Sequence, residues 1–184
     1  MGCYLHGGCP PGATRTYPGA REPGDPLDDR PFVLSGEVAF AWHSPTWDGG
    51  IAFLDAAAEG EALARAYLLS GRQLADVLEQ EMWREPGEDL DVDALVRDRR
   101  LVIGPGRYET LRTVGELDGR PVVTFTAADV DALGIEPPAD AYLATMARGL
   151  VASHGLSAEA VVDYLTGCRG VGRSRGEHAG VVPG

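Results

Sequence analysis

The stretch around which the chain is organised reads Ser70-Gly-Arg-Gln-Leu-Ala-Asp-Val-Leu-Glu-Gln-Glu-Met82. Its spacing predicts an amphipathic helix, because Leu74, Val77 and Leu78 recur at positions i, i+3 and i+4. Ser70 is a suitable N-cap, since its hydroxyl can accept a hydrogen bond from an amide of the first turn. The next member of the apolar stripe is Glu81. A carboxylate therefore stands where a core residue is expected.

Two interpretations of Glu81 are open at this point. Burial disfavours the charged form of a carboxylate and raises its pKa, which makes it a proton acceptor useful near neutral pH. Alternatively, the helix ends near Met82 and Glu81 reaches solvent, since charged side chains are rarely fully buried. Glu79 is predicted to lie off the stripe, on a flank that also carries Arg72 and Asp76.

The composition indicates one acidic domain. The chain has 184 residues, 44% of them hydrophobic, and a formal net charge of −12. That length favours a single domain with a real core. The negative charge argues against nucleic acid and anionic membranes as partners, since both require a basic surface. No apolar run approaches the length of a membrane span.

The sequence offers no metal or cofactor motif. Its four histidines are scattered, and its three cysteines form no C-x-x-C pair. Zinc hydrolases, serine hydrolases and nucleotide-binding proteins carry motifs that this chain lacks. Together with the missing signal peptide, the odd cysteine count predicts a soluble, cytoplasmic protein with reduced thiols. An enzyme here is expected to need no metal or cofactor and to use one carboxylate.

Three regions are predicted along the chain: an irregular segment over 1–30, a domain over 31–166 and a disordered tail over 167–184. Strands are expected over 31–42, bent at Gly36, and over 62–69, 100–103, 107–117 and 121–126. Asp118-Gly119 is a strong hairpin signal. Two helices follow, one opening at Pro137-Pro138 and one capped by Ser157. The pattern is typical of an α+β fold with a small curved or closed sheet.

Four stretches together resemble the γ-glutamylcyclotransferases and their γ-glutamylamine relatives. They occur in the family's order and span about residues 31–165. The first resembles a Trp-x-Gly-Gly strand entry, the second a helix end with the catalytic glutamate, the third a Gly-x-Tyr and the fourth a closing helix. These stretches are Thr46–Ala52, Leu78–Glu81, Gly106–Tyr108, and Pro138–Tyr142 followed by Gly149 and His154–Ser157.

The resemblance implies a small mixed β-barrel flanked by helices. It also implies conversion of a γ-glutamyl amide to 5-oxoproline, with Glu81 moving a proton from the substrate's α-amine to the leaving nitrogen. Tyr108 and Tyr142 would line the pocket, and Gly49-Gly50 would shape its wall. From the residues alone, both tyrosines are core residues with a polar tip. The glycine pair alone indicates a tight turn or close approach of a backbone or ligand. Neither line of reasoning fixes the leaving amine or the oligomeric state.

Two departures from the family pattern leave alternatives open. The family begins with a strand ending in Tyr-Gly-Ser-Asn, which this sequence does not contain. We expect that the natural reading frame starts further upstream, which upstream in-frame codons would reveal. Residues 83–101 form a long insertion that could act as a lid or alter the leaving-group preference. The alternatives are a non-catalytic small-molecule-binding or partner module of the same fold and a metal-dependent amide hydrolase or deacetylase.

Overall fold

A computed structural model describes residues 1–171 of the chain. Within this range it contains five α-helices and seven strands, which confirms the α+β class. In chain order they are α1 (Gly2–His6), β1 (Asp28–Ser35), β2 (Glu37–Ser44), β3 (Gly49–Asp55), β4 (Glu61–Leu68), α2 (Gly71–Glu81), α3 (Val92–Asp98), β5 (Arg100–Val102), β6 (Thr110–Leu117), β7 (Arg120–Thr126), α4 (Asp140–His154) and α5 (Ala158–Gly167). A 3₁₀ turn, Asp131–Leu133, precedes α4.

The strands form three small antiparallel sheets, in which β1 pairs with β4, β2 pairs with β3, and β6 lies between β5 and β7. The strand predicted over 31–42 is in fact two strands in different sheets. The chain changes sheet at Gly36, whose φ of 118° is accessible mainly to glycine. A Cβ at this position would lie 2.5 Å from the Asp55 carbonyl oxygen. The predicted bend is therefore a complete break between sheets.

The hairpin predicted at Asp118-Gly119 is present. Both residues have positive φ, 49° and 72°, and they join β6 to β7 with Leu117 opposite Arg120. Positive φ at both central residues is the mark of a type I′ turn, whose twist matches that of the flanking strands.

Helix α2 lies where its sequence predicts. The Ser70 hydroxyl accepts a hydrogen bond from the Gln73 amide, and the Gln73 side chain returns one to the Ser70 amide. Leu78 packs with Leu95 of α3 and Leu111 of β6. Residues 83–101 are thus tied into the core through Leu95, which is fully buried.

The flank of α2 that carries Asp76 and Glu79 is buried as well, although it lies off the apolar stripe. The N-terminal segment covers it. The side chain of Gln80, itself fully buried, donates to the Tyr4 carbonyl and accepts from the Gly19 amide. Residues 1–30, although largely irregular beyond α1, are therefore fixed to the helix by buried hydrogen bonds.

The two last helices pack on each other through Leu150, Val161 and Leu165. Helix α4 ends at Gly155, which adopts the left-handed conformation of a C-terminal cap. Ser157 caps α5 as predicted, since its hydroxyl accepts from the Ala160 amide. None of the helices within 1–171 has both the length and the apolar character that crossing a membrane requires.

The beginning of the predicted disordered tail is packed. Arg169 is buried and forms ion pairs with Glu37 at 3.3 Å, Asp55 at 2.9 Å and Asp131 at 2.6 Å. Its carbonyl also accepts from the Phe40 amide of β2. Ordered packing thus continues past residue 167. The remainder of the predicted tail, residues 172–184, lies outside the described residues.

Candidate functional site

Glu81 is the last residue of α2, and its carboxylate is directed at the N-terminal segment. The Tyr4 hydroxyl donates a hydrogen bond to Glu81 Oε1 at 2.5 Å. The hydroxyl of Tyr17 lies 3.4 Å from that of Tyr4, and the two rings are 4.5 Å apart. The helix end therefore presents its carboxylate to a pair of phenols.

Burial raises the pKa of the Glu81 carboxyl above its ordinary value. The hydrogen bond from Tyr4 and the charges of Arg107 and Arg15 act in the opposite direction, because each favours the ionised form, but burial is the larger effect. Burial and the nearby Glu81 charge also raise the pKa of the Tyr4 hydroxyl well above its ordinary value. Tyr4 therefore stays protonated and can act as the donor.

Two guanidinium groups lie at this end of α2, and both bind backbone atoms. Arg107 donates to the Glu81 carbonyl at 2.6 Å, and Arg15 donates to the Gln80 carbonyl at 2.9 Å. Carbonyls in the last turn of a helix lack helical partners and carry partial negative charge, so cations are favourable there. The carboxylate of Glu81 itself has no ion pair within residues 1–171.

The two buried acids of α2 are paired with arginine. Glu79 accepts from Arg84 at 2.6 Å, and the same guanidinium binds Glu109 at 2.6 Å. Asp76 accepts from Arg21 at 2.7 Å. These pairs attach neighbouring loops to the helix, and Glu81 is the acid of α2 whose carboxylate has no arginine partner among residues 1–171.

Tyr108 and Tyr142 bind opposite ends of one residue in β3. The Tyr108 hydroxyl donates to the Ala52 carbonyl at 2.9 Å, while that of Tyr142 accepts from the Ala52 amide at 3.2 Å. Burial raises the pKa of Tyr142 to about 12, and the nearby Glu81 charge acts in the same direction. The structure thus brings both tyrosines to the same residue of β3, where their hydroxyls bind its backbone. Their contact with a substrate stays a prediction.

Gly49 and Gly50 lie against another backbone segment. The Gly50 amide donates to the Pro137 carbonyl at 2.8 Å. A Cβ on Gly50 would overlap the Glu136 carbonyl, and one on Gly49 would lie 2.7 Å from the Ala139 amide nitrogen. The sequence left open a tight turn or the close approach of a backbone or ligand. In the structure, the backbone of residues 136–139 lies close to both glycines. Their role as a substrate wall stays a prediction.

Sequence reasoning missed four residues that surround Glu81: Tyr4, Arg15, Tyr17 and Arg107. Three of them lie in the irregular N-terminal segment, which has no periodicity to indicate burial. A usable signal was the length of that segment, because compact domains seldom keep long loops without a function. Arg107 had a more local signal, since it lies inside the motif Gly106–Tyr108.

Glu81 lines neither of two surface cavities of the described chain. One is next to the loops at 55–58 and 127–131, and the other lies between the β1–β4 sheet and the β6–β7 hairpin. At Glu81 itself, Tyr4 covers the carboxylate. Among residues 1–171, no three His, Cys, Asp or Glu side chains are grouped as a metal site would require.

Comparisons with known proteins identify no relative: no protein-family model, curated protein or solved structure matches the chain. The function is therefore inferred from the family resemblance of the four stretches and from the geometry around Glu81.

Proposed function

We propose that the chain is a γ-glutamylcyclotransferase-like enzyme, which converts a γ-glutamyl amide to 5-oxoproline and a free amine or amino acid. The observation that carries this proposal is the environment of Glu81. Its side chain is half-buried, the pKa of its carboxyl is raised, and within residues 1–171 it has a hydroxyl rather than a guanidinium as its partner. Such a group can both accept and return a proton near neutral pH.

In the proposed reaction the neutral α-amine of the substrate attacks its own γ-carbonyl carbon. A C–N bond forms and closes a five-membered lactam, while the C–N bond to the leaving nitrogen breaks. Glu81 takes one proton from the attacking amine and delivers it to the leaving nitrogen, so no net proton is consumed. Holding amine and carbonyl in a folded pose supplies proximity. Tyr4 acts as a positioning residue, because its hydrogen bond fixes the carboxylate.

We further propose that the three sheets curve around a common interior as a small barrel. Beyond the hydrogen-bonded pairs, β3 contacts β7, β2 contacts β4, and β1 contacts β6, so the strand contacts form a closed cycle. One of these contacts is the hydrogen bond of 2.8 Å from the Thr126 hydroxyl to the Leu54 carbonyl.

The free thiols of Cys3, Cys9 and Cys168 support a reducing, cytoplasmic location.

The direct test is Glu81→Gln in the full natural chain, with release of 5-oxoproline from γ-glutamyl-L-alanine measured by chromatography. Removing the proton acceptor should lower kcat by about 10²-fold to 10⁴-fold. Glu85→Gln is the matched control, because Glu85 is an exposed acid four residues away. Normal turnover by a folded Glu81→Gln protein would disprove the base assignment. Absence of 5-oxoproline with the natural protein would disprove the function.

A second candidate is a non-catalytic binding module of the same fold. The observation that favours it is Tyr4, whose hydroxyl already occupies the carboxylate that a substrate amine would have to reach. This candidate predicts that γ-glutamyl-L-alanine binds without release of 5-oxoproline, and that Glu81→Gln alters binding alone.

A further inference from the structure

Trp83 lies just beyond the end of α2 and has a left-handed backbone conformation, with a φ of 62°. Two hydrogen bonds close the helix around it. The Trp83 amide donates to the Gln80 carbonyl at 3.1 Å, and the Arg84 amide donates to the Glu79 carbonyl at 2.9 Å. These bonds define a Schellman motif, in which the left-handed position is usually occupied by glycine. A bulky side chain is unfavourable there, because its Cβ crowds the backbone.

The Trp83 ring contributes little to the hydrophobic core. Trp83 is 50% exposed, and it belongs to none of the four hydrophobic clusters described among residues 1–171. The other two tryptophans, Trp42 and Trp47, pack against the cluster that contains Ile51 and Phe53 of β3. A large aromatic residue that is half exposed at an unfavourable backbone position is typical of a functional site.

Two guanidinium groups hold the Trp83 ring at the end of α2 that carries the candidate base. The guanidinium carbons of Arg15 and Arg107 lie 5.0 Å and 5.9 Å from the centre of the ring. Arg15 donates to the Gln80 carbonyl, and Arg107 donates to the carbonyl of Glu81 itself. The same two side chains therefore contact both the last turn of α2 and the indole.

We propose that Trp83 binds an aromatic ring of the leaving group, so that the preferred substrates are γ-glutamyl amides of arylalkylamines. This inference rests on the proposed function. An indole offers a large, flat apolar surface, and two aromatic rings attract each other beyond the effect of the area that they bury. The neighbouring guanidinium groups disfavour a second cation, which argues against diamines as leaving groups. The leaving group that fits this place is therefore uncharged and aromatic.

A matched pair of ligands separates aromatic stacking from general apolar contact. γ-Glutamyl-benzylamine and γ-glutamyl-cyclohexylmethylamine carry the same charge and a six-membered ring at the same place, but only the first ring is aromatic. The Glu81→Gln variant of the full natural chain should keep both ligands intact during calorimetric titration. The benzylamine derivative should bind about 2-fold to 10-fold more tightly, as expected for a pair of aromatic rings.

Adding Trp83→Gly should remove the difference between the two ligands by weakening binding of the benzylamine derivative. Because glycine is the preferred residue at this position, Tm should rise by up to about 4 °C rather than fall. Arg99→Gly is the matched control, since Arg99 is an exposed residue with a φ of 58° at the end of α3. It should change Tm in the same direction and leave both affinities unchanged.

Three results would overturn the inference. The first is equal affinity for the two ligands while Trp83 is present, or no measurable binding of the benzylamine derivative. The second is a preference for the benzylamine derivative that persists in Trp83→Gly. The third is a lower Tm of Trp83→Gly together with equal weakening of both ligands, which would assign the ring to the fold.

The natural protein provides the measurement that separates this inference from the proposed function. Release of 5-oxoproline from both compounds with the same KM would overturn the aromatic preference and leave the reaction intact. Selective binding of the benzylamine derivative without any release would support the aromatic site and overturn the reaction.

Discussion

Glu81 differs from the neighbouring acids of α2 in what its carboxylate contacts. Asp76 and Glu79 are paired with arginines, and each pair holds a loop. Glu81 instead accepts a hydrogen bond from the Tyr4 hydroxyl. Burial raises the pKa of Glu81 by more than this hydrogen bond lowers it. Two acids of this helix therefore serve attachment, and the third is the one to which we assign proton transfer in the proposed reaction.

Changing Tyr4 to Phe should shift the pH dependence of the proposed reaction. The Tyr4 hydrogen bond lowers the pKa of Glu81, so its loss should raise that pKa further. Because Glu81 must be ionised to accept a proton, the acidic limb of the pH profile of kcat/KM should move to higher pH. The variant should therefore be less active than the natural protein at low pH. Tyr67→Phe, a tyrosine of β4 outside the site, is the control. An acidic limb that stayed in place, or moved to lower pH, would contradict the role of Tyr4.

The sequence could single out Glu81 as a candidate because the carboxylate interrupts an apolar stripe, which is a local pattern. It could not identify Tyr4, since the contact between them joins residues 77 positions apart. A hydrogen bond of that range depends on how two segments pack, and no spacing along the chain encodes it. The same holds for Arg15, which reaches α2 from the irregular N-terminal segment.

Elements whose ends are specified locally were predicted well. The Ser70 cap of α2, the Asp118-Gly119 turn and the Ser157 cap of α5 each depend on a few adjacent residues. The partners of these elements were less predictable. Gly36 was expected to bend a strand, but whether it bends or breaks the strand depends on the Asp55 carbonyl that packs against it.

Replacement of Gly50 by Ala tests whether the Gly49-Gly50 pair serves packing or only the substrate. A methyl group there would overlap the Glu136 carbonyl, so the strand and the 136–139 segment must separate. Overpacking of this kind should lower the free energy of unfolding by about 1–3 kcal/mol, measured by urea denaturation. Gly149→Ala is the control, since that helical position has open space and should gain up to about 1 kcal/mol. Unchanged stability with weaker substrate binding would instead assign Gly50 to the substrate wall alone.

Both ends of the described chain pack against the central elements. The N-terminal segment covers α2 with a buried hydrogen-bond network, and Arg169 joins the end of α5 to β2 and β3. Composition indicated a loose segment in each case, because glycine and proline are frequent and periodicity is absent. Composition describes average tendencies, whereas a single buried arginine or glutamine with several partners is enough to order a segment.

Replacing Arg169 by Met therefore tests the order of the chain beyond residue 167. Methionine keeps much of the side-chain volume, but it leaves Asp55 and Glu37 without their cation, and a buried ion pair that loses one partner costs about 3 kcal/mol or more. The free energy of unfolding in urea should fall by about that amount. Arg97→Met removes an exposed pair with Asp98 and should cost at most about 1 kcal/mol. If both variants were equally stable, residues 168–171 would contribute nothing to the fold, as the predicted disorder of this part of the chain requires. A selective loss at Arg169 would instead make the C-terminal segment part of the structure that holds β2 and β3 in place.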